Sequence, residues 1–148
     1  MEPKARALLK RLEKKLIAAP RRRLCCDPAW AHDVPPGAGV YAIWDTKTGT
    51  PVYVGETSGL LARMGDLGRT VNHTFRRIVR KKIRAGSATE RELDAALAAR
   101  FELAFLPVSF GRAELEEYLI LSWRQTLYNK PALRLRKSSQ YEWIQQAG

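Results

Sequence analysis

Two tyrosines, each close to a glycine, are the residues whose type and spacing first suggest chemistry. Tyr41 stands in the string Gly39-Val40-Tyr41, and Tyr53 stands in the string Tyr53-Val54-Gly55. Both strings fall in short strand-like runs, and a glycine at the end of a strand often lets a ligand or another backbone come close. Tyrosine is also a good strand former, so the alternative is that both are ordinary strand residues.

The second chemical feature is a large excess of positive charge. The chain has 26 Lys and Arg against 15 Asp and Glu, which gives a net charge of +11 and a pI near 10.1. This excess favours a polyanionic partner, and nucleic acid fits better than a membrane because the basic residues are spread over several segments. A protein that is merely kept soluble by its charge is the alternative. Arg21 to Arg23 form a short basic run that is either a linker or a phosphate contact.

An arginine-rich helix is predicted over residues 73–84, with apolar residues on one face and basic residues on the other. Arg76, Arg77 and Arg80 are expected to lie on one exposed side and to contact the DNA backbone. Arg69 is a further DNA-binding candidate. The alternative is a charged face that contacts only solvent.

The elements that must position these residues follow from apolar periodicity and from turn residues. Helices are predicted over residues 4–18, 60–67, 73–84, 89–100 and 112–126, and strands over residues 40–44, 52–54 and 101–110. A hairpin, one later strand and surrounding helices predict an α+β fold, in which a small three-stranded antiparallel sheet is flanked by helices and carries an N-terminal helical extension.

Several protein classes are disfavoured by the sequence. No apolar run approaches the roughly 18–20 residues needed to cross a bilayer. Lys10, Arg11, Lys14 and Lys15 interrupt the N-terminal segment, which is therefore unlike a secretory signal. The two cysteines are adjacent, Cys25-Cys26, and are interpreted as reduced thiols and not as a zinc site or a disulfide. These observations predict a cytoplasmic protein.

Taken together, the two glycine–tyrosine strings resemble the paired signature of the GIY-YIG nuclease superfamily. Arg63 falls eight residues after Gly55, where this family has its catalytic arginine. The last predicted helix carries Glu117, and Asn129 follows it twelve residues later in the string Leu127-Tyr128-Asn129. The endonuclease subunit of nucleotide excision repair has the same spacing from Glu to Asn. These matches cover residues 39–131.

The resemblance implies a metal-dependent DNA endonuclease that hydrolyses phosphodiester bonds with one Mg²⁺ or Mn²⁺ per site. Glu117 would hold the metal, and Arg63 would hold a phosphate oxygen. Tyr41 would take the proton of the attacking water, Tyr53 would hydrogen-bond a phosphate or the water, and Asn129 would close the last helix and orient the site. Glu114 and Glu116 compete with Glu117 for the metal.

The chain departs from the family pattern at two positions. Several relatives carry His or Tyr four residues after the arginine, where this chain has Leu67, and repair relatives carry Lys where it has Glu56. His73 is a candidate catalytic replacement, because it titrates near neutral pH and opens the arginine-rich helix. A local hydrogen bond at the helix start is its alternative role. His32 is expected to be structural or exposed.

The resemblance divides the chain into a basic helical extension at 1–36, a nuclease-like domain at 37–133 and a basic tail at 134–148. The rival function is a non-catalytic nucleic-acid-binding module that kept the fold, although such a module has no need of a metal carboxylate. DNA, duplex or structured, is the expected partner. Its sequence or branch preference and the oligomeric state, monomer or dimer, are left open.

Overall fold

One antiparallel sheet lies between two groups of helices. The computed structural model describes residues 3–25, 28–69, 74–82 and 89–129. In chain order its elements are α1 (Pro3–Ala18), β1 (Arg22–Arg23), a short 3-10 helix (Pro28–Ala31), β2 (Gly39–Asp45), β3 (Thr50–Thr57), α2 (Leu60–Arg69), α3 (Thr74–Lys82), α4 (Glu90–Arg100), β4 (Phe101–Pro107) and α5 (Arg112–Ser122). The predicted α+β class, with helices flanking an antiparallel sheet, is confirmed.

The sheet has the strand order β1-β4-β2-β3, and every pairing is antiparallel. The predicted number of three strands is wrong, because Arg22 and Arg23 form a fourth strand that pairs with Leu103 and Glu102. The basic run is therefore the edge of the sheet. β2 is the central strand, and all of its residues are buried.

Two predicted elements extend too far along the chain. The strand predicted to reach residue 110 ends at Pro107, which has no N–H to donate to a neighbouring strand. The helix predicted to reach residue 126 ends at Ser122, and a turn follows it. The helix predicted from residue 89 has the expected capping box, formed by Thr89 and Glu92.

Alternating residues of the central strand pack into two separate cores. On the front face, Tyr41 and Ile43 lie in a cluster with apolar side chains from α2, α3 and α4. On the back face, Val40, Ala42 and Trp44 lie in a cluster with apolar side chains from α1 and α5. The N-terminal helix is thus part of the same fold as the hairpin. Within the described ranges, no helix has the length and apolar character needed to span a bilayer.

Candidate active site

Tyr41 and Arg63 meet on the front face of the sheet. Tyr41 projects from the central strand and is only 1% exposed. Arg63 lies on α2, which is held against the front face by the buried side chains of Leu60, Met64 and Leu67. The Arg63 Nε donates a hydrogen bond to the Tyr41 hydroxyl at 3.3 Å. The hairpin and the helix after it therefore bring together two residues that are 22 positions apart.

Gly55 provides the space that the Tyr41 side chain occupies. It lies directly opposite Tyr41 in the pairing of β2 with β3. A Cβ atom added at Gly55 would lie 2.5 Å from the Tyr41 hydroxyl oxygen, which is far inside van der Waals contact. A side chain at position 55 would therefore displace the phenol. The close approach expected at this glycine involves a side chain of the protein itself.

Tyr53 completes an aromatic pair with Tyr41. The two ring centroids are 6.2 Å apart, with an angle of 29° between the ring planes. Phe75, from α3, packs edge-on against Tyr53 at a centroid distance of 5.5 Å. Tyr53 also interacts with Arg63. The structure thus brings together three of the predicted site residues, Tyr41, Tyr53 and Arg63.

Both phenols stay protonated at neutral pH. Burial raises the pKa of Tyr41 far above its ordinary value, and the hydrogen bond and positive charge of Arg63 oppose that shift only in part. Burial likewise raises the pKa of Tyr53, again against the charge of Arg63. The two hydroxyls are therefore neutral hydrogen-bonding groups in the free protein.

Three glutamates lie in the first half of α5. Glu114 is exposed, whereas Glu116 and Glu117 are half-buried. Besides burial, the negative charge of Glu116 raises the pKa of both Tyr41 and Tyr53. The structure thus associates Glu116 with the tyrosine pair, and the assignment of the metal to Glu117 stays a prediction from spacing. In the part of the chain that the structure describes, no three His, Cys, Asp or Glu side chains are grouped to hold a metal ion.

Asn129 acts on the backbone of β3. Its Nδ2 donates to the Val54 carbonyl oxygen at 2.8 Å, and its Oδ1 accepts a hydrogen bond from the Val54 N–H at 3.4 Å. The adjacent Tyr128 N–H donates to the Val52 carbonyl oxygen. The side-chain amide thus takes the place of a neighbouring strand at the sheet edge. Asn129 holds the strand that carries Tyr53 and Gly55.

The expectation that three arginines of α3 share one exposed side is wrong for Arg76. Arg76 is only 4% exposed, and its Nη2 donates to Glu90 at 2.8 Å and to Asp94 at 2.5 Å, both on α4. Arg80 also pairs with Glu90. Arg77 is exposed, as expected. Arg76 therefore joins α3 to α4, because a buried guanidinium requires carboxylate partners.

Other predicted residues are elsewhere. His73 and the side chain of Arg69 lie outside the described residues. His32 is exposed, as expected, and its Nδ1 makes a local hydrogen bond with the Ala29 carbonyl at 2.7 Å. Leu67 is buried in the front core, which explains why an apolar residue suits that position.

One ion pair at the border of this cluster was not predicted. The Arg112 Nε, in the first turn of α5, donates to the Glu56 Oε2 at 2.7 Å. Glu56 directly follows Gly55, and Arg112 lies four residues before Glu116 on the same helix. No local signal in the sequence joins Arg112 to Glu56, because the i,i+4 spacing only places Arg112 and Glu116 on one helical face.

Comparisons of the chain with protein-family models, with curated proteins and with solved structures find no match. The resemblance to the GIY-YIG superfamily therefore depends on the residues named above and on their order along the chain.

Proposed function

We propose that this protein is a metal-dependent DNA endonuclease of the GIY-YIG type, acting in the cytoplasm. One observation carries the proposal. Arg63 donates a hydrogen bond to the hydroxyl of Tyr41, and that hydroxyl lies against Gly55. The three positions belong to three motif elements that resemble the family signature.

Arg63 has the chemistry to hold a phosphate. It is half-buried, and its hydrogen bond to Tyr41 goes to a neutral oxygen. A guanidinium presents five N–H donors in a planar fork, so a phosphate oxygen can bind while the bond to Tyr41 persists. Arg63 would then offset the negative charge that develops on the phosphate during hydrolysis.

Tyr41 and Tyr53 suit the placement of the attacking water. A buried neutral phenol with a raised pKa is a poor proton acceptor, which disfavours the role of general base for Tyr41. It is a good hydrogen-bonding partner for water, and its position is fixed by Arg63 and Gly55. The water's proton would instead go to a group that titrates near neutral pH, and His73 is our candidate for that role.

A divalent metal fits the donor chemistry of α5. A single carboxylate, completed by water and substrate oxygens, is a donor set that Mg²⁺ accepts in proteins. Glu117 is the ligand implied by spacing, and Glu116 is the carboxylate whose charge acts on the tyrosine pair. A bound metal would neutralise charge on the phosphate and on the leaving 3′ oxygen.

Nicking of a supercoiled plasmid, with Mg²⁺ or with EDTA, tests the proposal. We expect nicking only with the metal, and a loss of about 10²-fold or more in Tyr41→Phe, in the range of a lost positioning or acid–base group. Tyr118→Phe is the matched control, because Tyr118 is a buried tyrosine of the back core, hydrogen-bonded to Glu13. DNA binding without metal-dependent nicking would favour the rival function of a non-catalytic binding module.

Glu116→Gln and Glu117→Gln identify the metal ligand. The variant that loses the ligand should lose nicking while its DNA affinity stays equal or rises, because a negative charge beside phosphates has been removed. The other variant should keep nicking in Mg²⁺. Full nicking in both variants would leave Glu114 as the candidate ligand on α5.

A further inference from the structure

The Arg112–Glu56 ion pair joins the first turn of α5 to the residue that follows Gly55 on β3. Glu56 follows Gly55, the residue that contacts the Tyr41 hydroxyl, and lies beside Val40 in the pairing of β2 with β3. Arg112 is one helical turn before Glu116, whose charge acts on both tyrosines. Glu56 shares the back face of the sheet with Val40, whereas Tyr41 projects from the front face and its hydroxyl lies against Gly55 on the edge strand β3. The ion pair is therefore next to the tyrosine cluster along β3, on the face that α5 covers.

This ion pair is accessible to a ligand. The side chain of Arg112 is 35% exposed and that of Glu56 is 32% exposed. The hydrogen bond between them uses the Arg112 Nε, so the terminal amino groups can bond an additional oxygen. An ion pair this exposed contributes little to folding stability, because solvent screens it.

We propose that Arg112 forms a second phosphate-binding position, which takes a backbone phosphodiester next to the one held by Arg63. Glu56 orients the guanidinium before the strand arrives, and its carboxylate then competes with the phosphate for the same donors. Arg112 is a binding residue and does not touch the reacting atoms. The inference rests on the proposed function, since it places a nucleic-acid strand across the tyrosine cluster.

The competing explanation is that the pair simply fastens α5 to β3. The two explanations predict different directions for the change in DNA affinity when Glu56 is lost. If the pair is only a structural contact between α5 and β3, loss of either partner breaks that contact, and both losses change the DNA affinity in the same direction. If Arg112 binds phosphate, loss of Arg112 weakens binding, whereas loss of Glu56 releases Arg112 and strengthens it.

The test measures the affinity of a short labelled DNA duplex in EDTA, where cleavage cannot interfere, over a series of salt concentrations. Arg112→Gln should bind about tenfold more weakly, as expected for one lost charge-assisted contact. Its log–log salt slope should fall by roughly 0.9. Glu56→Gln should bind about threefold more tightly, which is the scale of an exposed ion pair, and the double variant should behave like Arg112→Gln.

Arg22→Gln and Asp33→Asn are the matched controls. They remove the same charges from a partly exposed ion pair near β1, at the opposite edge of the sheet from β3. Their shifts measure the general effect of net charge, and the shifts at Glu56 and Arg112 should exceed them. Thermal melting of every variant shows that it is folded, and Arg112→Met, which also removes the charge, replaces Arg112→Gln if the latter does not fold.

The proposal is overturned if Glu56→Gln weakens binding, or if it strengthens binding no more than Asp33→Asn does. It is also overturned if the wild-type protein does not bind the duplex. Failure of the proposed function has a different signature, namely DNA binding with the expected opposite signs but no nicking in Mg²⁺.

Discussion

Arg63 and Arg76 stand on neighbouring helices against the same face of the sheet, yet they have different partners. Arg76 is almost fully buried between two carboxylates, Glu90 and Asp94. Arg63 is half-buried, and its hydrogen bond goes to the Tyr41 hydroxyl. The charge of Arg76 is neutralised by directly bonded carboxylates, whereas the hydrogen-bond partner of Arg63 carries no charge and Asp66 acts on Arg63 only through its electrostatic field. An arginine's partner, more than its position in a basic segment, indicates whether it can bind a phosphate.

The same difference assigns the two arginines to different tasks. A buried charge without a partner is very costly, so the carboxylates of α4 are needed wherever Arg76 is buried. Arg76 therefore contributes to the packing of α3 against α4. Arg63 keeps contact with solvent and can exchange that contact for a phosphate oxygen. Four predictions test this division, beginning with the largest effect.

Replacing Arg63 by Ala should have the largest effect on catalysis. Loss of a group that stabilises charge in the transition state typically lowers a rate by about 10²–10³-fold. We expect a loss near the upper end of that range in single-turnover plasmid nicking. Arg11→Ala, which removes one exposed arginine from α1, is the control and should keep its activity. If Arg63→Ala nicks the plasmid as fast as Arg11→Ala, Arg63 does not serve the site, and the functional contrast between Arg63 and Arg76 fails.

Gly55→Ala should separate Tyr41 from Arg63 without removing either residue. The added methyl group would lie 2.5 Å from the Tyr41 hydroxyl oxygen, so the phenol must move. We expect a loss of nicking of about 10²-fold, the scale of a misplacement of about 1 Å, and a fall in the free energy of unfolding of about 1–3 kcal/mol from overpacking.

Gly37→Ala is the control for this substitution, because a Cβ at Gly37 meets no atom within 4 Å. It should leave nicking and stability near their wild-type values. In the double variant Gly55→Ala, Tyr41→Phe the ring carbons Cζ and Cε1 still lie 2.4 and 2.7 Å from the added methyl group, so neither stability nor activity should recover. Unchanged activity in Gly55→Ala would show that the Tyr41–Arg63 contact is not needed.

Much of this architecture could be predicted from local sequence pattern, and apart from the ends of β4 and α5 the exceptions involve partners distant in the chain. α1 was identifiable because its apolar residues recur at helical spacing, and the hairpin because two short runs of strand-forming residues flank a turn that contains Gly49. Arg22 and Arg23 form a strand too short to show a period, and it exists only because β4 supplies its partners, Leu103 and Glu102. A two-residue strand is visible only in the assembled sheet.

The site shows the same limit. Tyr41, Tyr53 and Arg63 were predicted to share a site because the strings around them resemble the family signature, and the hairpin and the helix after it do bring them together. The burial of Arg76 could not be predicted, because helical periodicity puts this residue on the polar side of α3 and the carboxylates that pair with it come from the next helix. Nor could the Arg112–Glu56 pair, whose members are 56 positions apart. A pattern of charges indicates what a segment can bind but not which charges are already paired.

Arg76→Leu should lower stability, whereas Arg77→Leu should not. Removal of Arg76 leaves Glu90 and Asp94 close together without their shared cation, although Glu90 keeps its ion pair with Arg80. Because both carboxylates keep some exposure, we expect a loss of about 2 kcal/mol, below the range of about 3–5 kcal/mol for a fully buried pair. Arg77 is exposed, so its change should stay within about 0.5 kcal/mol. Urea denaturation measures both variants, and equal losses would contradict the structural role of Arg76.

The smallest effect tests whether the partner of Arg63 is neutral, as the comparison requires. Burial raises the pKa of Tyr41 above that of an exposed tyrosine, about 10 in the unfolded chain. Above about pH 10 the folded protein then holds a proton that the unfolded chain has lost, so the free energy of unfolding must fall as pH rises. Tyr41→Phe should remove this contribution and make the fall shallower by up to about 1.4 kcal/mol per pH unit.

Burial and Glu13 raise the pKa of Tyr118 to about 12, so Tyr118→Phe should also show a shallower fall and serves as the positive control. If urea denaturation between pH 8 and pH 11 gives Tyr41→Phe the wild-type slope while Tyr118→Phe differs, Tyr41 ionises near its ordinary pKa. Arg63 would then have an anionic partner in alkaline solution, and it would differ less from Arg76, whose partners are carboxylates.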